Sequence, residues 1–281
     1  MKILLTGADG FTGIHFIKKC KDLNINVIPL KSDLLNLSNL QTETKHLDID
    51  YVVHLAGISF VANKDKDIFN SVNVQGTKNL LTALKNMNKR PLKILLASTA
   101  NIYKSIESDL ITESSTIDPI NHYAKSKFEM EQMAISLYGN LFKFIIVRPF
   151  NYTGRNQNEL FLVPKIISHF KSKSKSIELG ALDVKREFND VRYVVDCYIS
   201  LLKNLEKNEI LNICTSKSYS VREVLNKMKK ITKHSLQIKI NQDFIRKNEV
   251  QNLAGSPNKL LKASLIRNNY SFDETLIWMY K

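Results

Sequence analysis

The first half of the chain alternates short apolar runs with stretches of helical period. Ile3-Leu4-Leu5, Val27 to Leu30, Tyr51 to Leu55, Leu92 to Ala97 and Phe144 to Val147 are nearly continuous in apolar residues. Runs that are continuous rather than alternating belong to strands covered on both faces. Between them the pattern predicts helices from Phe11 to about Lys21, about Asp65 to Lys85, and about Tyr123 to Leu137. Strand–helix alternation builds right-handed βαβ crossovers. The predicted fold class is therefore α/β, with a doubly wound parallel sheet.

After Pro149 the pattern loosens. Asn151 to Asn158 is loop, and a helix is expected from about Leu162 to Lys171. Short strands are expected at Ile177-Glu178-Leu179 and at Ile210 to Cys214, the latter returning to the sheet. Val221 to Ile231 has an amphipathic helical period, and the tail is polar until Phe272 to Tyr280. No internal repeat and no low-complexity linker interrupts the chain. A smaller C-terminal lobe is expected, with the chain crossing between lobes more than once.

Composition narrows the classes. Of 281 residues, 43% are hydrophobic and 24% charged, which is ordinary for a globular protein. No apolar run approaches a membrane span, and Met1-Lys2 leads directly into the first strand without a signal pattern. Cys20, Cys197 and Cys214 are scattered and lack metal-ligand spacing, so free thiols in a reducing cytoplasm, and no metal, are expected. The net charge is +14, from 41 Lys and Arg against 27 Asp and Glu. A nucleic-acid partner is not expected, because the basic runs carry no interleaved aromatics and no recognition module. Anionic small molecules suit the same sign of charge.

One such ligand is indicated by the turn after the first strand. Thr6-Gly7-Ala8-Asp9-Gly10-Phe11-Thr12-Gly13 has the spacing Gly-x-x-Gly-x-x-Gly and opens the first helix. Glycines there permit a tight turn and close approach of a pyrophosphate to N–H groups at a helix N-terminus. Placed after the first strand of a βαβ unit, the turn predicts a Rossmann-like dinucleotide site that includes Asp9, Phe11 and Thr12. The end of the second strand normally selects the cofactor through an acid that binds the ribose 2′-hydroxyl. Here it reads Leu30-Lys31-Ser32. A 2′-phosphate fits against Lys31 and Ser32, which favours NADP(H); Asp33, close behind, can serve a ribose hydroxyl instead and leaves NAD(H) open.

Tyr123 and Lys127 form Tyr-x-x-x-Lys at the start of a helix. Residues four apart share a helix face, so the ammonium can lie near the phenol and lower its pKa toward neutrality. Such a pair is often only a surface contact. Here it follows a strand that ends in Ser98-Thr99, which places hydroxyls at the ligand-binding edge of the sheet. The expected catalytic set is Thr99, Tyr123 and Lys127.

These residues are similar to those of the extended short-chain dehydrogenase/reductases, the nucleotide-sugar epimerase, dehydratase and reductase family. The likeness runs in order through Gly7-Gly10-Gly13, Leu55-Ala56-Gly57, Asn73 to Thr77, Ser98 to Tyr103, Tyr123 and Lys127, Arg148-Pro149-Phe150-Asn151, and Arg186 to Val191. It implies that Thr99 hydrogen-bonds a substrate oxygen, that Tyr123 transfers the proton, and that Lys127 supports it. Leu34, Leu55, Ala56, Gly57, Asn73, Ser98 and Pro149 would line the cofactor, and Asn151, Val163 and Arg186 the substrate. Residues 1–150, with returning segments at about 185–215, would form the NAD(P)-binding domain. Residues of about 151–184 and 216–281 would form the substrate lobe. A homodimer through the Asp65–Lys85 and Tyr123–Leu137 helices is also implied.

Dehydratases of the family carry an Asp-Glu pair directly after the active-site Thr, whereas Thr99 is followed by Ala100-Asn101. Epimerases usually have the acidic second-strand residue, absent at Leu30-Lys31-Ser32. The likeness is stronger to the 4-ketoreductases. Arg148 to Gly154 with Gln157 and Val163-Pro164, Lys185 to Arg192, and Glu249-Val250 with Gly255 to Leu260 resemble GDP-4-keto-6-deoxy-mannose reductases. The short connection from the second strand to Asp33-Leu34 resembles dTDP-4-keto-6-deoxyhexose reductases. The implied reaction is NAD(P)H-dependent reduction of a nucleoside-diphosphate 4-keto-6-deoxyhexose. A C4-epimerase and a non-catalytic dinucleotide-binding protein are the alternatives.

Overall fold

The computed structural model describes residues 1–59, 65–104, 110–245, 251–264 and 266–281. At its centre β1 (Lys2–Thr6), β2 (Asn26–Pro29), β3 (Tyr51–His54), β4 (Lys93–Ala97) and β5 (Lys143–Pro149) form one sheet with Glu209–Ile213. The spatial order is Glu209–Ile213, β5, β4, β3, β1, β2, and every pairing is parallel. The chain leaves β1 for β2 on one side and returns to β3 on the other. That reversal opens a crevice outside the C-terminal ends of β1 and β3, where open α/β sheets bind their ligands.

Alternation within each strand explains the continuous apolar runs. Ile3, Leu5, Val53, Leu95, Ile145 and Val147 point to one face, against Phe16 of α1 (Phe11–Asp22) and the helix Val191–Asn204. Leu4, Val52, Ile94, Leu96 and Ile146 point to the other, against Leu80 and Leu84 of Thr77–Lys85 and Met130 and Ala134 of His122–Tyr138. Each such buried aliphatic side chain contributes roughly 1.5–3 kcal/mol, a large part of a typical net stability of about 5–15 kcal/mol.

The predicted strands and helices form within a few residues of their expected positions. The helix expected from about Asp65 to Lys85 is wound in three parts: Asp67–Phe69, a π-helical Asn70–Gly76, and Thr77–Lys85. Among the described residues three α-helices were not predicted: α2 (Leu37–Thr44), Val191–Asn204 and Asn258–Ser264. Val191–Asn204 buries nearly its whole circumference, including Tyr193, Val194, Val195, Tyr198, Leu201 and Leu202. Its polar stripe is narrow, Arg192, Asp196 and Lys203 with Asn204 at the end, and it is set in a run of β-branched and aromatic residues that favour strands.

Beyond β5, a separate core joins distant segments. Val163, Ile166 and Phe170 from Leu162–Lys171 pack with Phe188, Val224, Met228, Phe272 and Leu276. Glu249 and Val250 lie outside the described residues. Gly255 lies against the Phe150 ring, and its N–H donates to the buried Glu187 carboxylate at 2.7 Å. No described helix is long and apolar enough to cross a membrane.

Candidate active site

The glycine turn closes at the mouth of the crevice. Gly10 N–H donates to Gly7 carbonyl at 3.1 Å, and Gly7 takes φ +70°, a conformation that L side chains resist. A Cβ on Gly7 would also stand 2.7 Å from the Ala56 nitrogen. A Cβ on Gly13 would meet the Gly7 carbonyl at 2.1 Å, so α1 approaches the turn as closely as its backbone allows. No side chain caps α1, and its first turn holds no acid. Its leading N–H groups are thus left for an anion. Asp9 is exposed, and Phe11 and Thr12 are half-buried; Phe11 stacks on Tyr152, and Thr12 shares a 2.8 Å hydrogen bond with the Tyr152 hydroxyl.

Across the crevice, buried hydrogen bonds fix the end of β3. His54 is fully buried, which lowers its imidazole to about 3 and keeps it neutral. Its Nε2 lies 2.8 Å from Thr77 Oγ1, whose own proton goes to the Asn73 carbonyl at 2.7 Å. Nε2 must therefore donate, and Nδ1 accepts from Thr6 Oγ1 at 2.7 Å. Thr6 Oγ1 in turn accepts from Ala56 N–H at 3.1 Å. One directed chain of donors runs from Ala56 to Asn73. The Asn73 amide is engaged as well: Oδ1 accepts from Ile58 N–H at 2.8 Å, and Nδ2 donates to the Ile58 carbonyl at 3.1 Å and to Ser126 Oγ at 2.9 Å. The π-helical stretch aims Asn73 this way, locking Leu55-Ala56-Gly57 to the Tyr–Lys helix.

That helix, His122–Tyr138, starts at Asn121, whose Oδ1 accepts from Ala124 N–H at 2.9 Å. Glu131 on it takes a bidentate pair from Arg148 of β5, at 3.0 and 2.6 Å, and Arg148 also donates to the Tyr103 hydroxyl. Both charges are buried, so removing one partner alone costs about 3–5 kcal/mol. The helix is thereby held in register with β4 and β5.

Tyr123 is 9% exposed and Lys127 5%. Burial pushes the Tyr123 phenol up to about 12, and a hydrogen bond from the Thr99 side chain opposes the rise. The expectation that Lys127 lowers this pKa toward neutrality is corrected. Its Nζ donates to the Ala97 carbonyl at 2.8 Å, and burial brings the amine down to about 8. Thr99 Oγ1 accepts from Asn101 N–H and from Asn101 Nδ2, each at 3.2 Å, so its own proton points away from Asn101. Beside it, Ser98 Oγ is buried and has no hydrogen-bond partner among the described residues. A hydroxyl left open at the end of β4, an uncapped α1 and a Cβ-free Gly57 together fit a bound dinucleotide. A Cβ on Gly57 would lie 3.1 Å from Lys127 Nζ.

At the end of β2 the structure supplies what the local sequence lacks. Lys31 N–H donates to Glu43 Oε1 at 2.9 Å and Ser32 N–H to Glu43 Oε2 at 2.8 Å. The expected absence of a carboxylate at this tip is corrected: one arrives from α2. Asp33 Oδ1 accepts from Leu35 N–H in its own turn, and Leu34 is buried against Gly76. Pro149 ends β5 beside Ile213. The Asn151 carbonyl accepts from Asn189 N–H at 2.9 Å, and Tyr152–Thr153 pairs with Asn189–Asp190, which brings the Asn151 and Arg186 segments together. Arg186 is central in a three-stranded sheet between Tyr219 and Leu253. Val163 is buried in the second core rather than presented to solvent.

Sequence reasoning missed Glu43, the His54 chain and the Thr12–Tyr152 contact. Only His54, a polar residue in an apolar strand, gave a local signal.

The chain matches the model of the NAD dependent epimerase/dehydratase family over residues 3–214, and it belongs to that family. Over 277 residues it is 38% identical to GDP-6-deoxy-D-talose 4-dehydrogenase of Aggregatibacter actinomycetemcomitans, covering 97% of this chain and 93% of the relative. It is 28% identical to GDP-6-deoxy-D-mannose reductase of Pseudomonas aeruginosa over 274 residues, 92% and 89% of the two chains. The solved structure of RMD from Pseudomonas aeruginosa, complexed with NADPH, superposes with a TM-score of 0.90 at 26% identity, covering 99% of this chain and 97% of that one. The protein is a nicotinamide-dinucleotide-dependent oxidoreductase.

Proposed function

We propose that this protein reduces the 4-keto group of a nucleoside-diphosphate 4-keto-6-deoxyhexose, with GDP as the nucleotide and NADH or NADPH as the reductant. The observation that carries this reading is the pairing of Thr99 and Tyr123 at the end of β4, with Asn101 where a dehydratase holds an acid. The two GDP-deoxysugar relatives support the nucleotide.

The reduced dinucleotide, when bound, supplies hydride to C4. Thr99, with both accepting positions filled by Asn101, turns its hydroxyl proton from Tyr123 to the carbonyl oxygen when substrate binds, and polarises it. Tyr123 stays protonated at neutral pH, the state required of a proton donor, and passes its proton to the same oxygen. Lys127 places its charge beneath the site, held by the Ala97 carbonyl. Asn151 and Arg186, on adjoining segments, are proposed to hold the nucleotide diphosphate, and residues 151–184 and 216–281 to form the substrate lobe. Exposed Ile135 and Leu137 on His122–Tyr138 support a homodimer through that helix.

Incubating the purified protein with NADH or NADPH and GDP- or dTDP-4-keto-6-deoxyhexose tests the reading. Loss of reduced-nicotinamide absorbance, matched by a 4-hydroxy product with the GDP sugar, is expected. Interconversion of C4 epimers with NAD⁺ retained and no net consumption would instead make it an epimerase.

A further inference from the structure

The tip of β2 carries an arrangement that the reaction above does not use. Glu43, on α2, reaches back to the strand end and spreads its two oxygens over consecutive N–H groups, Lys31 to Oε1 and Ser32 to Oε2. The Ser32 side chain adds a hydrogen bond. The helix that presents Glu43 is itself fixed: Asn36 caps it, accepting from Asn39 N–H at 3.0 Å, and Leu40 and Thr44 are buried beneath it. Asn79 Nδ2 ties the preceding loop through the Leu34 carbonyl at 2.9 Å. Asp33, the acid nearest in sequence, is engaged in its own turn with Leu35.

In a doubly wound dinucleotide fold, the end of β2 faces the adenosine ribose, and the group there distinguishes a 2′-hydroxyl from a 2′-phosphate. We infer that Glu43 is the specificity-determining residue for the cofactor: it accepts from a ribose 2′-hydroxyl, repels a 2′-phosphate, and makes the protein prefer NAD(H). A carboxylate has about four acceptor sites, so the two backbone donors and the Ser32 hydroxyl leave one for a ribose hydroxyl. The same two bonds occupy the N–H groups that a phosphate would need. Both effects act in one direction, against the preference that Lys31 and Ser32 alone suggest. The inference rests on the dinucleotide site at the β1–β3 crevice, not on the identity of the sugar.

The test is a titration of the wild-type, Glu43→Gln and Glu43→Ala proteins with NADH and NADPH, followed by quenching of the single Trp278 or by calorimetry, with no sugar present. The wild type is expected to bind NADH at least about tenfold more tightly than NADPH, and each variant to shrink that ratio about tenfold or more. Glu43→Gln removes the charge but keeps the side-chain size and one of the two N–H bonds, so it disturbs the loop less than Glu43→Ala does, and the NADH-to-NADPH ratio, rather than either affinity alone, carries the result. A wild type that binds NADPH as tightly as NADH overturns the proposal. So does equal weakening of both cofactors in the variants, which would make Glu43 only a loop brace. Neither result bears on sugar reduction, whose failure would leave these affinities unchanged.

Discussion

At β4 the sheet edge is completed by the strand's own end and the helix before β5; at β2 it is completed by a helix that the strand does not predict. Thr99, Tyr123 and Lys127 are buried, and their positions are set by a strand end, an Asn121 cap and four-residue spacing. Lys31 and Ser32 are partly open to solvent and take their acid from eleven or twelve residues downstream. Chemistry that needs a desolvated donor is encoded locally. Selection between two soluble cofactors can be carried by a partly exposed residue from elsewhere, because a repelled phosphate needs only charge within reach. The contrast separates catalysis from cofactor choice, and each can be perturbed alone.

The largest effect is expected at the β4 end. Tyr123→Phe removes the proton donor and keeps the ring among Phe69 and its neighbours. Turnover should fall by about 10²–10⁴, while NADH and NADPH affinities stay at wild-type values. A variant that still reduces the keto sugar at a near-normal rate would remove Tyr123 from the chemistry and end the contrast.

Lys127 comes next. Its amine, lowered to about 8, is charged below that pH and neutral above it. The reductive rate should therefore hold toward neutral pH and decline as pH rises through about 8. Lys127→Met should lose that limb and run at least about tenfold below wild type, the worth of one charge-assisted hydrogen bond. A decline that persists in Lys127→Met would assign the limb to another group.

How much of this was legible depends on where each feature gets its cause. The sheet was legible because Ile3 to Leu5, Tyr51 to Leu55 and Leu92 to Ala97 are apolar on both faces. The glycine turn and the Tyr–Lys pair were legible because spacing along one element fixes them. Glu43 was not: α2 is short, its apolar positions Leu37 and Leu40 mark no clear stripe, and nothing near Lys31 points to it. Val191–Asn204 escaped because its narrow polar stripe of Arg192, Asp196 and Lys203 is set among β-branched and aromatic residues that favour strands. The high Tyr123 pKa was also hidden, since spacing places Lys127 on the same face but does not reveal that the Ala97 carbonyl holds its amine.

Between the two ends lies His54, whose effect near neutral pH is the smallest and falls on stability rather than on rate. Folding holds its imidazole at about 3 against an ordinary 6.5, so below 6.5 the unfolded chain binds a proton that the folded one refuses. Stability from this group is complete above pH 6.5 and is lost as pH falls toward 3, by about 1.4 kcal/mol per pH unit. Glutamine can accept from Thr6 and donate to Thr77 but does not titrate. In urea unfolding at a series of pH values, His54→Gln should start slightly less stable than wild type near neutrality and lose less on acidification. The difference between the two slopes isolates His54 from the other histidines and the acids, which both proteins share. Equal slopes would mean that the buried chain from Ala56 to Asn73 admits a proton, and that the middle of the sheet edge yields more readily than the β4 end it supports.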